Sequence, residues 1–536
     1  MDEGTVTSHV PLGRTGWVLW HDAALRGAGF PAERFLDICD DKLATAADQI
    51  DDGVAARERY AEVFAAATDR LSAVIRRTAA DRSFREAVTW QNPAVVRDCL
   101  DKVVAGRPRN SRGRIHELTI ASYLQRYVLK NDTVGFFGPV GWAWIDAGDT
   151  GVSVVPGPAL LSRRTTYFED WAIDAIAEAI AAIPEVWPWL RPRMVSSATL
   201  SGRVVRLPFA TPASLSTMDL RVLGRCDGRR TVRDIAGDPP DPSTVAALLR
   251  LRERGVVCID LAGPLVARPE LALARRIDAI TDAAVRTRAR GPLDDLIRAR
   301  DAVAEAAGQP DRLMRASVAL ADTFERITGA AATRRSGSTY AGRTLVYEDT
   351  VRGVEVQLGR RVTDRLAGPL GLVLDSALWL ANTVGERYEV TARELFDREL
   401  ARTGGREMPW LRLLTAVLPE FGQLSTGGIR SQIVEEVVAD FQRRWRRVID
   451  LPCGAVDRTH HHATTEAITG RAAQEFMTGP ARWSGAGWYS PDILFAAVDN
   501  AALARGEVDA VLGELHCASN TLESRALAAQ HPQPAR

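Results

Sequence analysis

Residues 122–142 read SYLQRYVLKNDTVGFFGPVGW and join a helical pattern to a loop pattern within one short stretch. Apolar side chains recur every three to four positions up to about residue 130, which is typical of a helix. The glycines, the proline and the Asn131–Asp132 pair that follow are typical of a tight, shaped loop. We therefore expect a helix over 115–130 and a loop over 131–139.

The composition places limits on what surrounds this stretch. The 536 residues exceed one ordinary core, so we expect several subdomains. Lys+Arg and Asp+Glu both number 68, so a nucleic-acid surface has to be a local patch. The six cysteines are scattered without a CxxC pair, which indicates free thiols in a reducing cytoplasm. No signal peptide and no membrane span are predicted, because no suitable apolar run is present.

Residues 203–262 form a self-contained unit in the pattern. A strand is predicted from Val204 to Leu207, and another from Val256 to Ile259. Three helices lie between them, near 216–226, 231–237 and 242–254, with Thr231 and Ser243 as expected N-caps. Three helices followed by a strand is a winged-helix pattern. DNA binding is not favoured, because the third helix is mostly apolar and its basic residues cluster at its end.

The remaining chain is predicted to be mainly helical. Residues 265–330 form an Ala/Arg-rich scaffold, a strand hairpin is expected over 343–358, and helices resume over 361–402 and 430–449. A buried strand is expected at Val511–Leu515. The predicted fold class is therefore α+β, with several helix-rich subdomains, several small mixed sheets and an embedded winged-helix-like module.

Five stretches in order resemble the N-terminal, tRNA-dependent region of the lantibiotic dehydratase family. They are WVLWHDAALRGAGFP at 17–31, FREAVTWQNP at 84–93, the stretch at 122–142, TLVYEDT at 344–350, and YSPDILFAAVDNAALARGEVDAVLGELH at 489–516. The resemblance divides the chain into an N-terminal part of the glutamylation domain at 1–202, a winged-helix-like leader-peptide module at 203–262, and the remainder of that domain at 263–536.

The resemblance implies an activity in natural-product biosynthesis. A glutamyl group moves from glutamyl-tRNA, a co-substrate, to a Ser or Thr hydroxyl of a ribosomally made precursor peptide, with no bound cofactor. A second domain of the family then eliminates glutamate, and typical members continue past the position of Arg536. We therefore expect that a separate elimination-domain protein, together with a cyclase, acts as a partner, or that the chain is truncated or divergent. A homodimer is left open.

The resemblance also implies catalytic residues near the loop. The family carries two arginines four apart and then a threonine in a Pro/Gly/Phe loop, which correspond here to Arg126, Lys130 and Thr133. Lysine keeps the charge of the second arginine but loses its bidentate fork, and Val134 replaces the proline after the threonine. The alternative is an ordinary solvated basic helix face with a capping loop.

Two acidic residues complete this candidate catalytic set. Asp170 lies where the family places an acidic residue, and Asp349 in VYEDT matches another, as a general base or an orienting group. The alternative for Asp170 is an N-cap of a helix over 171–182. The alternative for Asp349 is turn chemistry in the expected hairpin.

Clustered arginines are the candidates for tRNA binding, which would follow phosphates and shape rather than base identity. A solvated face is the alternative for each cluster. The candidate positions are Arg107, Arg109, Arg112, Arg114, Arg443, Arg444, Arg446 and Arg447, with Arg334 and Arg335 as a further pair.

The module is expected to bind the leader of the precursor peptide. In the family, a peptide strand adds to the edge of the module's sheet. The residues predicted to contact it are those of the two predicted strands, namely Val204, Val205, Leu207, Val256, Val257 and Ile259.

Other chemistry is less favoured by the sequence. His460–His462 lacks a second ligand group at zinc-like spacing, so no metal is predicted. His516 reads equally as a core or a functional histidine, and no Walker-type loop indicates ATP use. Two alternative functions stay open: a ligase that adds an amino acid from aminoacyl-tRNA to a peptide C-terminus with ATP, and a non-catalytic scaffold that presents the precursor.

Overall fold

A computed structural model describes residues 9–50, 53–130, 135–146, 148–208, 210–334, 344–425, 428–451, 461–521 and 524–533. The chain divides into two compact units. The first unit comprises 1–25, 141–160 and 353–536, and the second comprises 26–140 and 161–352. The boundaries at 1–202, 203–262 and 263–536 stay a prediction.

Helices provide most of the regular structure. They are α1 Glu33–Leu36, α2 Asp41–Asp48, α3 Val54–Ala80, α4 Arg82–Gln91, α5 Pro93–Val95, α6 Asp101–Val104, α7 Ser111–Leu129, α8 Asp170–Ala181, α9 Thr217–Leu223, α10 Val232–Ala236, α11 Pro242–Glu253, α12 Pro269–Asp278, α13 Ala283–Ala306, α14 Pro310–Thr328, α15 Arg360–Thr403, α16 Trp410–Phe421, α17 Gln432–Val448, α18 Thr465–Glu475, α19 Asn500–Arg505 and α20 Arg525–Ala528. A π-helical turn at Val96–Leu100 joins α5 to α6.

The strands form several small sheets. They are β1 His9–Pro11, β2 Val18–Trp20, β3 Asp22–Arg26, β4 Val140–Ile145, β5 Val152–Phe168, β6 Arg193–Met194, β7 Thr199–Ser201, β8 Val204–Arg206, β9 Ala213–Ser214, β10 Val257–Cys258, β11 Val346–Leu358, β12 Gln423–Ser425, β13 Gly428–Arg430, β14 Tyr489–Ala496 and β15 Asp509–Cys517. The largest sheet has the strand order β3-β4-β11-β5. The predicted helix-rich α+β class is confirmed.

The second unit is built around a helical core. The apolar face of α8, with Ile173, Ile176 and Ile180, is buried against α12, α13 and α14. Phe324 on α14 is fully buried in the same cluster. This layer supports β5 and the start of β11, because Phe168 and Val346 belong to the same core.

The expected winged-helix pattern is present in the second unit. Strands β7, β8 and β9 form an antiparallel sheet, helices α9, α10 and α11 follow, and β10 pairs with β6. Thr231 and Asp234 form a reciprocal capping box at α10, as predicted. The prediction that Ser243 caps α11 was wrong. Pro242 occupies the first helical position, so Asp241 is the N-cap and accepts the backbone N–H groups of Ser243 and Thr244.

A hairpin was predicted over 343–358. The described residues of this stretch, 344–358, contain no hairpin, because Val346–Leu358 form the single strand β11. At Gly353, between the two expected strands, a Cβ would lie 2.2 Å from the carbonyl oxygen of Ala159. Glycine is therefore required for the close approach of two backbones rather than for a turn.

The first unit contains the longest helix, α15, which packs against α17 and α18 through Trp379, Val437 and Phe476. Strands β14 and β15 pair as an antiparallel ribbon with an irregularity between Pro491 and Ile493. The expectation of a buried strand was wrong, because most of β15 is exposed. No described helix is long and apolar enough to cross a membrane.

Two adjacent leucines in α11 allow a direct test of the module's core. Leu248 is fully buried, whereas Leu249 is 44% exposed. We predict that Leu248→Ala lowers the free energy of unfolding by about 2–5 kcal/mol, because it leaves a cavity. Leu249→Ala is the matched control and should change it by less than about 0.5 kcal/mol. Chemical denaturation followed by circular dichroism measures both, and equal losses would contradict this core assignment.

Candidate functional site

The C-terminal end of α7 carries the two predicted cations. Asn110 caps the helix start by accepting the N–H of Gly113. Arg126 lies in the last turn and is half-buried, and Lys130 is the exposed C-cap whose N–H bonds to the Arg126 carbonyl. Cations at this end also stabilise the helix through its dipole, so position alone does not separate catalysis from structure. Thr133, like the rest of 131–134, lies outside the described residues.

The loop residues that follow are held tightly within the second unit. The Thr350 hydroxyl of β11 donates to the Gly135 carbonyl at 2.7 Å. Gly29 donates its N–H to the Phe137 carbonyl at 2.9 Å, and a Cβ on Gly29 would lie 2.3 Å from the Phe137 Cα. Gly135 has a φ of +51°, a conformation that favours glycine. The predicted shaped loop is therefore present over 135–139.

An aromatic cluster lies beneath this loop and links it to α7. Tyr127 is fully buried, with its ring centroid 4.6 Å from that of Phe137, and it packs against Phe30 and Phe84. Its hydroxyl donates to the Gln91 side chain at 2.9 Å. Burial raises the pKa of Tyr127 well above its ordinary value, so the hydroxyl stays a donor at neutral pH. The helix end and the loop therefore share one rigid support.

A buried ion cluster lies on the other side of the loop. Arg164 on β5 donates through Nε and Nη2 to both carboxylate oxygens of Glu348, at 2.8 and 3.0 Å. Its Nη2 also donates to Glu86 Oε1 on α4 at 2.6 Å. The side chains of Glu86 and Glu348 are only 6% and 1% exposed. Below we call Glu86, Arg164 and Glu348 the Arg164 triad.

The triad carries one cation for two carboxylates. Burial and the nearby charge of Glu86 raise the pKa of Glu348, although the hydrogen bonds from Arg164 and from the Phe136 N–H act in the opposite direction. Burial disfavours the Arg164 cation too, but hydrogen bonds and charges from Glu348 and Glu86 outweigh it and raise the pKa of Arg164. Arg164 is therefore a permanent cation, and Glu348 takes up a proton more readily than a solvated glutamate does.

The strand β11 places two acidic neighbours on opposite faces. Successive side chains alternate along a strand, so Glu348 and Thr350 face the loop while Asp349 faces away from it. Asp349 is 7% exposed, and its face also carries Tyr347, which stacks on Tyr167 of β5 with a centroid distance of 5.5 Å. Because no described turn contains Asp349, the turn-chemistry alternative does not apply.

Asp170 is the first residue of α8 rather than its N-cap. Glu169 occupies the cap position and its side chain makes no capping hydrogen bond, while its N–H donates to the Leu345 carbonyl. Burial first, and the charge of Asp170 second, raise the pKa of Asp174 one helical turn further on. The hydrogen bond from the Glu169 N–H joins this end of α8 to Leu345, the residue just before β11.

The two main arginine clusters differ in how many of their side chains pair with acidic residues of the chain. Arg107, Arg112 and Arg114 are exposed at the start of α7, while Arg109 pairs with Glu117 at 2.7 Å. On α17 the cations are largely occupied within the chain. Arg443 and Arg444 pair with Asp440, and Arg444 also lies over the Trp379 ring. Arg447 pairs with Glu475 through two hydrogen bonds. Arg446 is the fourth arginine of this cluster. Arg334 lies over the Trp171 ring, and Arg335 is outside the described residues.

The side chains predicted to contact a peptide are mostly in the core of the module. Val205, Val256, Val257 and Ile259 are all less than 9% exposed, while Val204 and Leu207 are half-buried. Moreover, β8 is the central strand of its sheet, with β7 and β9 on either side. These residues lie in β8 and β10 or directly beside them. Because both edges of β8 are already paired, a peptide strand added to the sheet of β8 would have to pair with β7 or β9.

In the first unit, one histidine and two acidic residues lie close enough together to hold a metal ion. Asp492, Glu514 and His516 have ligand atoms within 4.8 Å of one another, and all three are substantially exposed. His516 therefore is not a core histidine. His461 and His462 are exposed, and His460 lies outside the described residues.

Sequence reasoning missed the Arg164 triad. Glu86 and Glu348 occur inside the quoted stretches FREAVTWQNP and TLVYEDT, but their partner lies 78 and 184 residues away along the chain. The signal that was available is the Arg163–Arg164 pair in a strand, where one arginine must face the interior.

Comparison with known proteins gives one family match. Residues 80–417, more than half of the chain, match the family model described as lantibiotic dehydratase, N terminus. This span contains α7, the loop, the Arg164 triad, Asp170 and Asp349. No curated protein sequence matches the chain.

Several solved structures resemble the chain, and three of them are the following. The glutamylation domain of TbtB from thiomuracin biosynthesis has a TM-score of 0.57 at 17% identity, over 94% of this chain and 70% of that chain. The same domain bound to 5'-phosphodesmethylglutamycin gives 0.51 at 19% identity, over 83% and 55%. The tRNA-dependent lantibiotic dehydratase MibB from Microbispora sp. 107891 gives 0.46 at 16%, over 64% and 33%. The chain thus spans one third of MibB, and the TbtB comparisons show the fold.

The raised pKa of Glu348 predicts a pH-dependent contribution to stability. A carboxyl whose folded pKa is above its ordinary value of 4.5 stabilises the fold below that value and loses this contribution as pH rises through the folded pKa. We therefore expect the free energy of unfolding of Glu348→Gln, minus that of the wild type, to increase as pH rises from 4.5. Urea denaturation at several pH values measures this difference, and a relative stability that is constant or falls would contradict it.

Proposed function

Because the chain belongs to the lantibiotic dehydratase family by its N-terminal region, we propose that it transfers glutamyl groups from glutamyl-tRNA to Ser or Thr hydroxyls of a ribosomally made precursor peptide. The observation that carries this proposal is the family match over 80–417, which includes all five candidate catalytic residues. The TbtB glutamylation domain, whose fold the chain shares, was solved bound to 5'-phosphodesmethylglutamycin. The co-substrate would place the reaction in the cytoplasm.

The reaction needs few chemical groups. The peptide hydroxyl oxygen attacks the ester carbonyl of glutamyl-tRNA, a tetrahedral oxyanion forms, and the tRNA ribose oxygen leaves with the proton that the hydroxyl gave up. Cations are needed to bind phosphate or carboxylate groups and to stabilise the oxyanion. We assign these tasks to Arg126 and Lys130, and the orientation of substrate to Thr133.

Asp349 and Asp170 are the proposed acidic participants. Asp349 would accept the hydroxyl proton or orient the hydroxyl, and its burial at 7% exposure favours the orienting role in the free protein. Asp170 would act from the start of α8. The chemistry requires no resident cofactor, since the donor ester is already activated.

Phosphate contacts of the tRNA are assigned to the first arginine cluster. Arg107, Arg112 and Arg114 are exposed near the start of α7, whereas the α17 arginines are largely engaged with Asp440 and Glu475. Salt-dependent binding by such exposed cations is expected for a surface that follows phosphates. We therefore propose that the α7 cluster contributes more than the α17 cluster.

The leader of the precursor peptide is proposed to add to the module's outer strand β7. Leu200 in β7 is 45% exposed, and it offers an apolar contact beside an outer backbone edge. The proposed function covers the transfer step. Elimination of glutamate and ring closure are later steps that this proposal does not cover.

Transfer itself is tested by mass spectrometry of the candidate precursor incubated with the protein and glutamyl-tRNA. We expect a gain of about 129 Da per modified Ser or Thr, which is glutamate minus water. Lys130→Ala should lower the rate at least about tenfold if this cation contributes one charge-assisted contact. Lys42→Ala, at an exposed position on α2, is the matched control and should leave the rate close to wild type. An adduct at the peptide C-terminus that requires ATP would instead indicate a ligase, and tight peptide binding without any adduct would indicate a scaffold.

Leader binding is tested separately with Leu200→Asp. A carboxylate beside β7 should weaken binding of the labelled precursor peptide by about tenfold or more, because it must be desolvated at the new contact. Val318→Asp, at a 50% exposed position on α14, is the control. Fluorescence anisotropy measures both affinities, and an unchanged affinity for Leu200→Asp would rule out β7 as the binding edge.

A further inference from the structure

We propose that Glu86, Arg164 and Glu348 are positioning residues of the transferase, because they hold Gly135–Phe137, and Phe137 packs against Tyr127, the neighbour of Arg126 in α7. This inference rests on the proposed function. The triad does not touch substrate, since both of its carboxylates are almost completely buried. It acts through the backbone of the loop.

The first step is the contact between the triad and the loop. Glu348 accepts a hydrogen bond from the Phe136 N–H, and the Arg164 guanidinium lies 5.2 Å from the centroid of the Phe136 ring. A Cβ on Gly135 would lie 3.4 Å from Glu348 Oε2. The loop backbone therefore rests directly against the carboxylate, and any shift of Glu348 has to move it.

The second step is that the triad is itself fixed from several directions. Glu86 Oε1 also accepts the Gly308 N–H at 2.7 Å, and Arg82 donates two hydrogen bonds to the Gly308 carbonyl. Thr350, two residues beyond Glu348, binds the Gly135 carbonyl. The loop end is thus tied to α4, β5, β11 and the α13–α14 connection within one unit.

The third step concerns the energetic cost of the arrangement. Two buried carboxylates that share one guanidinium are expensive to desolvate, and apolar residues of similar volume are often equally stable. Stability alone therefore does not account for a charged cluster at this place. What the charges add is direction, because the bidentate Arg164–Glu348 pair fixes the carboxylate plane that receives the Phe136 N–H. Precise placement of this kind is what a loop with catalytic side chains requires.

The decisive variant is Arg164→Lys, which keeps the charge but removes the fork. We expect kcat for glutamyl transfer to fall by roughly 10–100-fold, since small misplacements of reacting groups have effects of this size. KM for the precursor and for glutamyl-tRNA should stay within about twofold, because the binding surfaces are unchanged. Glu348→Gln should give the same pattern.

The matched control is Arg300→Lys. Arg300 on α13 is a buried arginine that is likewise paired with two acidic residues, Glu270 and Asp301, in the same unit. It should lower the melting temperature as Arg164→Lys does, yet leave kcat close to wild type. Equal effects of the two variants on kcat would show that general destabilisation explains the loss, and that outcome would overturn the inference.

Hydrogen–deuterium exchange of peptides covering 135–139 gives a readout that needs no substrate. We expect protected amides in the wild type and in Arg300→Lys, and faster exchange in Arg164→Lys and Glu348→Gln. Unchanged protection in the triad variants would overturn the inference whatever the activity. If the wild type transfers no glutamate to any tested precursor, the proposed function fails, while the exchange data still decide whether the triad holds the loop.

Discussion

One guanidinium that donates hydrogen bonds to two buried carboxylates determines how the candidate site is built. Charges cannot leave water without partners at fixed distances, so the segments that carry Glu86, Arg164 and Glu348 have little freedom relative to one another. The loop after α7 inherits this rigidity because its backbone donates to Glu348 and accepts from Thr350. The aromatic cluster around Tyr127 completes the support from below. Helices and strands of one unit therefore hold the end of the loop in place, with Glu348 of β11 facing it and Asp349 facing away from it.

Local patterns made much of this fold predictable. Helical periodicity located α7, α15 and the three module helices to within a few residues, because the buried face of a helix repeats along the sequence. The capping box at Thr231 was visible for the same reason, since its two partners lie three residues apart. The position of the shaped loop followed from its glycines and proline. These features depend on neighbours in the chain.

The errors arose where distant contacts decide the structure. A hairpin was expected over 343–358, but the described part is one strand, and Gly353 lies where β5 and β11 approach closely. Val205, Val256 and Val257 of the predicted peptide contacts belong to the core of the module, and the role of these strands in peptide binding stays a prediction. The Arg164 triad was not predicted at all, because periodicity contains no information on which glutamates face a given arginine. The roles of Arg126, Lys130, Thr133, Asp170 and Asp349 stay predictions.

The pleat of β11 has a consequence for how this region tolerates change in length. Since Glu348 and Asp349 are consecutive, a single-residue insertion or deletion before them would exchange their faces and put the shorter acid against Arg164. The same slip would turn Thr350 away from Gly135. Chains that share this architecture should therefore vary in length on either side of β11 but keep the spacing within it constant. We expect no insertion or deletion within the stretch that corresponds to VYEDT.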